Sequence, residues 1–214
     1  MNTRTGGLPD IRRRLISPAV ADSTVFVGSR DGRLYAIDAE SGEKVWHFEA
    51  GSRIDSSPAV ADGIVYFGSN DGKLYALQAD TGRKLWDFET KYPIKSSMAV
   101  ADDIVYFGAD DYHIYALDTE NGKKRWRFNT GEIILSSPTV AEGIIYVAGL
   151  NDFCYMLNAF NGSLRLEFAS YAPIISSPVV QDGTAYFTTS RGNLYAIDGT
   201  ARNWLWENTL RGFW

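Results

Sequence analysis

The chain has 214 residues, of which 45% are hydrophobic and 22% are charged, a composition typical of a folded domain that excludes intrinsic disorder. The formal net charge of −5 argues against nucleic acid or an anionic membrane surface as the main partner. One cysteine and two histidines exclude an internal disulfide and a cysteine-rich zinc site. The 20 glycines, 12 tyrosines and 6 tryptophans predict an all-β fold rich in turns.

The first 15 residues, MNTRTGGLPDIRRRL, lack the apolar core of a signal peptide, and we expect an N-terminal tail there. No window approaches ~18 consecutive apolar residues, so we expect no direct insertion into a membrane. As given, the chain has the features of a cytoplasmic protein. As an excised domain it would equally suit a periplasmic or extracytoplasmic location.

From Ile16 onward the sequence repeats with a period of 40 residues, and five units follow one another without an insertion or a deletion. A serine recurs in every unit, at Ser17, Ser57, Ser97, Ser137 and Ser177. A tyrosine does the same, at Tyr35, Tyr75, Tyr115, Tyr155 and Tyr195. A fixed period of this length indicates a repeat architecture.

Each unit contains four short apolar segments separated by turns that contain glycine. In unit 2 the segments cover 56–60, 64–69, 73–79 and 84–90. Segments of this length between tight turns predict four antiparallel strands. Glycine adopts positive φ without steric cost, so we expect such a conformation at Gly63, Gly72 and Gly82. No histidine is in phase with the serine pairs, so we expect their hydroxyl groups to bond backbone; the pairs lie at 56–57, 96–97, 136–137 and 176–177.

Four strands per unit and a period near 40 predict an all-β fold, a β-propeller of five four-stranded antiparallel blades. The predicted domain covers 16–206, between the tail at 1–15 and a C-terminal tail at 207–214. Its blades are expected at about 16–50, 54–90, 94–130, 134–170 and 174–208. We favour a closed five-bladed ring over an open arc. An open arc would expose the faces of its end blades and would favour a homo-oligomer.

The third and fourth segments of three units read AIDAESGEKVW (36–46), ALQADTGRKLW (76–86) and ALDTENGKKRW (116–126). They resemble the tryptophan docking motif of the pyrroloquinoline-quinone-type propeller repeat, and the resemblance covers nearly the whole chain. It implies a structural role between blades for Trp46, Trp86, Trp126 and Trp206. Unit 4 departs from the motif, with Met156 in place of alanine and Leu166 in place of tryptophan, and we interpret the two changes as a compensation of volume.

The repeat family contains quinoprotein dehydrogenases and also non-catalytic propellers, such as the lipoprotein of the outer-membrane assembly machinery. The dehydrogenases are longer and use a quinone, a calcium ion and often a vicinal cysteine pair, whereas this chain has one cysteine and no long insertion. The resemblance is closer to the non-catalytic members, so we expect no catalytic residue, no cofactor and no metal site.

The expected function is a scaffold that binds a protein or peptide partner. Two alternatives stay open: a propeller that binds a small ligand or carbohydrate, and a fragment of a quinone-dependent dehydrogenase. A repeat protein can be compared with itself, because columns common to all units maintain the fold and variable columns are free to bind.

Variation between the units is concentrated in two sets of loops: the turns between the second and third strands, and the connections between units. Aromatic and cationic side chains there are typical of binding surfaces, although loop aromatics can also cover the core. The candidate binding residues are Arg53, Tyr92, Lys95, Tyr112, His113, Phe153, Tyr171 and Arg191. Cys154 is assigned to the column of Lys73 and His113, near a turn, as an accessible small residue rather than a reactive thiol.

Overall fold

The computed structural model describes residues 16–134, 136–149, 151–174, 176–199 and 203–209, and of the last segment only the backbone. The predicted N-terminal tail at 1–15, residues 210–214 and the side chain of Trp206 lie outside the described residues. In the described part of the chain every regular element is a β-strand, and the strands form five four-stranded antiparallel sheets. The predicted all-β fold of four-stranded blades is confirmed.

Each sheet is one blade, and its strands lie side by side in the order of the sequence. Blade 1 contains β1 (Ala19–Ala21), β2 (Thr24–Gly28), β3 (Arg33–Asp38) and β4 (Lys44–Glu49). Blade 2 contains β5 (Ala59–Ala61), β6 (Ile64–Gly68), β7 (Lys73–Gln78) and β8 (Lys84–Glu89). Blade 3 contains β9 (Ala99–Ala101), β10 (Ile104–Gly108), β11 (His113–Asp118) and β12 (Lys124–Asn129).

Blades 4 and 5 repeat the same pattern of one three-residue strand followed by three longer ones. Blade 4 contains β13 (Thr139–Ala141), β14 (Ile144–Ala148), β15 (Phe153–Asn158) and β16 (Leu164–Ala169). Blade 5 contains β17 (Val179–Gln181), β18 (Thr184–Thr188), β19 (Asn193–Asp198) and β20 (Asn203–Thr209).

Tryptophan side chains connect consecutive blades. The indole nitrogen of Trp46 donates a hydrogen bond to the carbonyl of Ala79 in the next blade at 3.0 Å. Trp86 and Trp126 make the corresponding bonds, to Thr119 at 2.9 Å and to Ala159 at 3.0 Å. The rings pack so closely on the turn glycines of the next blade that a Cβ at Gly82 would lie 2.7 Å from the ring of Trp46. A closely packed aromatic ring, half-buried at Trp46 and Trp86 and buried at Trp126, and a satisfied N–H together hold each of these boundaries.

Blade 4 shows how the one exception to the tryptophan column is accommodated. In blades 1 to 3 the tryptophan lies directly opposite an alanine of the neighbouring strand, as in the pair of Ala116 and Trp126. In blade 4 the same register pairs Met156 with Leu166. Both side chains belong to the core between blades 4 and 5. Blade 4 therefore replaces the alanine–tryptophan pair with two side chains of intermediate size at the same site.

Serine hydroxyl groups fix the start of blades 2, 3 and 4. The hydroxyl of Ser56 donates to the carbonyl of Gly68 at 2.8 Å and accepts from its N–H at 2.9 Å. Ser96 and Ser136 make the same pair of bonds in the next two blades. These contacts confirm the structural role predicted for the serine pairs. The positive φ predicted at the turns is also confirmed, at 70° for Gly63, 86° for Gly72 and 69° for Gly82.

The closed ring favoured by the sequence analysis is not shown by the structure. Four apolar cores join blades 1 to 2, 2 to 3, 3 to 4 and 4 to 5, and among the described residues no fifth core joins blade 5 to blade 1. Val25 and Val27 of blade 1 are half-buried, whereas the equivalent Val65 and Phe67 of blade 2 are fully buried. Closure of the ring therefore stays a prediction.

Cys154 was assigned to the wrong column. It pairs with Ala148 in the register that places Leu74 opposite Gly68, so it occupies the leucine position inside β15. The thiol is fully buried, and this burial raises the pKa of Cys154 to about 12. Cys154 is an interior packing residue and is not accessible near a turn, since the turn of unit 4 begins at Gly149, one residue earlier than assigned.

Candidate functional site

Two sets of loops lie at the same end of the blades, and we call this end the loop face. One set joins the second and third strands of each blade, and the other connects one blade to the next. Because neighbouring strands run antiparallel, these two sets must share one end of the sheet, while the remaining turns lie at the opposite end. The eight candidate binding residues all belong to the loop face.

Three of the eight predicted residues lie together in one groove between blades 2 and 3. Tyr92 comes from the connection after β8, whereas Tyr112 and His113 come from the turn before and the start of β11. The groove has a volume of about 460 Å³, and we call it the 2–3 groove. Tyr92 is 49% exposed and Tyr112 is 45% exposed, so both rings present apolar surface to an incoming molecule.

The backbone of Tyr112 adopts a left-handed conformation that few bulky residues adopt. Its φ is 71°, and the same column holds Gly32 at 87°, Gly72 at 86° and Gly192 at 79°. A β-carbon in this region costs about 1–2 kcal/mol, which glycine avoids. A large aromatic residue is thus placed where the fold favours glycine, and strain of this kind is concentrated at functional positions.

Buried threonines hold both tyrosines of the groove in place. The carbonyl of Tyr112 accepts hydrogen bonds from the backbone N–H of Thr130 at 2.9 Å and from its hydroxyl at 3.0 Å. The hydroxyl of Thr90 lies 2.7 Å from the carbonyl of Tyr92 and 2.8 Å from that of Gly72. A surface whose backbone is fixed before binding loses less conformational entropy when a partner docks.

Asp111 and Tyr115 form the polar wall of the 2–3 groove. The hydroxyl of Tyr115 donates to Asp111 at 2.7 Å, and the backbone N–H of His113 donates to the other carboxylate oxygen at 3.3 Å. Burial raises the pKa of Tyr115 to about 12, and the bond to Asp111 acts in the same direction. Asp111 is therefore occupied within the protein, and the Tyr115 hydroxyl stays protonated at neutral pH.

Cations that the sequence analysis did not single out also line the 2–3 groove, namely Lys91, Lys124 and Arg127. Lys91 places its ammonium group 5.5 Å from the centre of the Tyr92 ring, in cation–π contact. The Arg127 guanidinium beside Tyr115 opposes part of the rise in the pKa of that hydroxyl. A signal for Arg127 was present in the sequence, since its column holds Asp87 in the preceding unit.

Arg53 and Lys95 lie elsewhere on the loop face and are engaged in ion pairs. Arg53 approaches Asp55 at 3.0 Å, and Arg30 approaches the other oxygen of the same carboxylate at 3.4 Å. Lys95 pairs with Asp110, whose side chain is largely buried. These pairs bring connections and turns of the loop face together.

Phe153, Tyr171 and Arg191 lie outside the 2–3 groove. Phe153 packs against the core between blades 3 and 4, with its ring 6.1 Å from that of Tyr155. Tyr171 lies in the connection to blade 5, 79% exposed and with φ of 55°. Arg191 is exposed in the turn before β19. Binding by these three residues stays a prediction.

In the described part of the chain no three His, Cys, Asp or Glu side chains are grouped closely enough to hold a metal ion. The same residues contain no helix that could cross a membrane.

These blades, with their repeated alanine–tryptophan pairs, define a β-propeller of the pyrroloquinoline-quinone type. The family model described as "Beta-alanine-activating enzyme, beta-propeller" matches residues 15–213. The chain belongs to this propeller family. A comparison with curated protein sequences gives no significant match.

Solved structures of two kinds resemble this chain. BamB from Moraxella catarrhalis aligns with a TM-score of 0.81 and 20% identity over 91% of this chain and 64% of its own. The quinohemoprotein alcohol dehydrogenase ADHIIG from Pseudomonas putida HK5 aligns with a TM-score of 0.76 and 19% identity, over 92% of this chain and 42% of its own. The quinohemoprotein alcohol dehydrogenase from Comamonas testosteroni gives 0.75 and 18%, over 92% and 43%. The chain thus spans less than two thirds of these proteins, and identities this low establish the fold alone.

Proposed function

We propose that the chain is a non-catalytic propeller scaffold that binds a protein or peptide partner in the 2–3 groove of the loop face. The observation that carries the proposal is the pair of exposed tyrosines, Tyr92 and Tyr112, held on fixed backbone from two different blades. Tyrosine supplies a large and rigid contact area at low entropic cost, which is why it is enriched at binding hot spots.

Two further features of the groove support this proposal. Tyr112 keeps a left-handed backbone in a column where three other units carry glycine, which a purely structural turn would not require. The loop residues of the other units differ from those of blade 3, so we expect one binding site rather than five equivalent ones.

Selection of peptides from a random display library on the full chain tests the proposal. The double variant Tyr92→Ser/Tyr112→Gly removes both rings, and its second change restores the glycine that the backbone favours. Phe160→Ser is the matched control, because Phe160 is 75% exposed in the turn between β15 and β16, at the opposite end of the blades.

We expect the selected peptides to bind the double variant at least about tenfold more weakly than the unmodified chain, and to bind the control equally well. Circular dichroism and unfolding curves check that both variants are folded. The proposal is wrong if no peptide is enriched, or if the enriched peptides bind the double variant as tightly as the unmodified chain.

A further inference from the structure

The charges beside the 2–3 groove differ from those at the same place in the two preceding blades. In blade 2, Lys73 and Lys84 both form ion pairs with Asp87, the first at 3.4 Å. In blade 1, Arg33 forms a short ion pair of 2.8 Å with Glu49. Asp87 thus neutralises both of these cations in blade 2, and Glu49 neutralises Arg33 in blade 1. Lys44 of blade 1, in the column of Lys84, has no carboxylate within ion-pair distance among the described residues.

Blade 3 lacks the neutralising carboxylate. His113, Lys124 and Arg127 occupy the columns of Lys73, Lys84 and Asp87, so an arginine stands where blade 2 has its acid. Among the described residues no carboxylate lies within ion-pair distance of Lys124 or Arg127, nor of Lys91 across the groove. Lys124 and Arg127 are both exposed, so they present unneutralised positive charge to solvent.

The carboxylates that line the groove do not balance these cations. Asp111 is already bonded by Tyr115 and by the backbone of His113. Asp111 keeps its negative charge in these bonds, so two carboxylates, Asp111 and Glu89, face three cations, Lys91, Lys124 and Arg127. The groove is thus a locally positive site on a chain whose net charge is −5. A local field of this sign attracts anionic groups and repels cationic ones.

From this charge reversal we infer that the partner segment bound in the 2–3 groove is an acidic peptide, with carboxylate side chains flanking an aromatic or aliphatic residue. The inference rests on the proposed function of the groove. Arg127 offers a planar fork that matches a carboxylate, and Lys124 adds a second charge on the same strand. Tyr92 and Tyr112 supply the apolar surface for the residue between the acids.

The test uses the peptides selected from the random library on the full chain. Its first readout is the Asp and Glu content of the enriched sequences. The second readout is affinity. One enriched peptide and a counterpart with its Asp and Glu replaced by Asn and Gln are each measured against the unmodified chain, Arg127→Asp and Arg83→Asp. Arg83→Asp makes the same change of net charge at an exposed position in the turn between β7 and β8, at the opposite end of blade 2.

We expect acidic residues to be enriched and the Asn/Gln counterpart to bind about tenfold more weakly. Arg127→Asp gives blade 3 the acid that blade 2 has, so it should lower the affinity for the acidic peptide by a similar factor. Arg83→Asp should change that affinity by less than about twofold. Raising the salt concentration from about 0.1 to about 0.5 M should also weaken the binding of the acidic peptide to the unmodified chain. If Arg127→Asp does not fold, Arg127→Gln takes its place with a smaller expected loss.

Enriched peptides that are neutral or basic would overturn the inference, as would equal binding to Arg127→Asp and Arg83→Asp. In that event, continued dependence on Tyr92 and Tyr112 would leave the proposed function standing. If no enriched peptide depends on the two tyrosines, the proposed function fails and this inference fails with it.

Discussion

Blades 2 and 3 have the same strand register, the same bulge between the third and fourth strands and the same tryptophan contact to the next blade. At the loop face they differ in size and charge. Blade 2 carries Gly72 and the acid Asp87, whereas blade 3 carries Tyr112 and Arg127. In blade 2 the cations are paired, and in blade 3 an unneutralised positive edge borders two exposed rings.

The difference shows how a repeat protein separates structure from binding. Side chains between blades, such as Trp86 and Tyr106, occupy columns that the blades share, because each must pack on the next one. Loop-face side chains contact few neighbours, so they can change in one blade without disturbing the others. Blade 2 is therefore an internal control for blade 3, and substitutions that exchange their features test the account.

The largest loss of stability is expected from removing a feature that blades 2 and 3 share, the tryptophan that contacts the next blade. Trp86→Ala removes the ring that packs on Gly122 and the hydrogen bond to Thr119. We expect a loss of about 3 kcal/mol in the free energy of unfolding, measured with urea. Leu85→Ala, at an exposed neighbour on the same strand, should cost less than about 1 kcal/mol. Similar losses for both variants would contradict the role given to the tryptophan.

Giving blade 2 the tyrosine of blade 3 should be destabilising. In Gly72→Tyr, a β-carbon would lie 3.0 Å from the carbonyl oxygen of Thr90 at a residue whose φ is 86°. We expect a cost of about 1–2 kcal/mol in unfolding experiments. A variant as stable as the unmodified chain would show that the left-handed turn carries no strain.

The reverse exchange, Tyr112→Gly, should stabilise the fold and weaken binding. Glycine relieves the backbone at φ of 71°, and its greater freedom in the unfolded chain offsets part of the gain. We expect a net gain of about 0.5–1 kcal/mol in unfolding experiments, together with weaker binding of the selected peptides. A loss of stability would instead mean that the ring of Tyr112 is needed for packing.

The smallest effect concerns the acid that blade 3 lacks. The hydrogen bond from Lys84 is the main cause that lowers the pKa of Asp87 below its ordinary value of 3.8. Because the folded-state pKa is lowered, the stabilisation is present above pH 3.8 and is lost as the pH falls through the folded-state value.

Asp87→Asn should therefore cost about 0.5 kcal/mol at neutral pH and progressively less in acid, as measured by urea unfolding across the pH range. Arg127→Gln, in the same column of blade 3, is the control and should show no such acid dependence. A cost for Asp87→Asn that is unchanged below pH 3.8 would rule out the ion pair as its source.

The 40-residue period was sufficient to predict the strands, the turn glycines and the serine contacts, because these depend on local sequence and on columns that repeat. The prediction for Cys154 was wrong. The turn of unit 4 has Gly149 and Asp152 where unit 2 has Ser69 and Gly72, and without these markers the start of the turn was placed one residue too late. The closed ring stays a prediction, because no apolar core joins blade 5 to blade 1 among the described residues. Tyr92, Tyr112 and His113 were predicted as binding residues, but Lys124 and Arg127 were not, because their lack of acidic partners depends on side-chain distances.

Amide hydrogen exchange on the full chain, with and without an acidic peptide selected from the library, tests most directly that binding is located at blade 3. The account predicts new protection at 88–92 and at 111–113, the segments of the 2–3 groove. It predicts no change at the equivalent segments of the preceding blades, 48–52 and 71–73. Protection at those segments, or at the opposite end of the blades, with none in the 2–3 groove would contradict it.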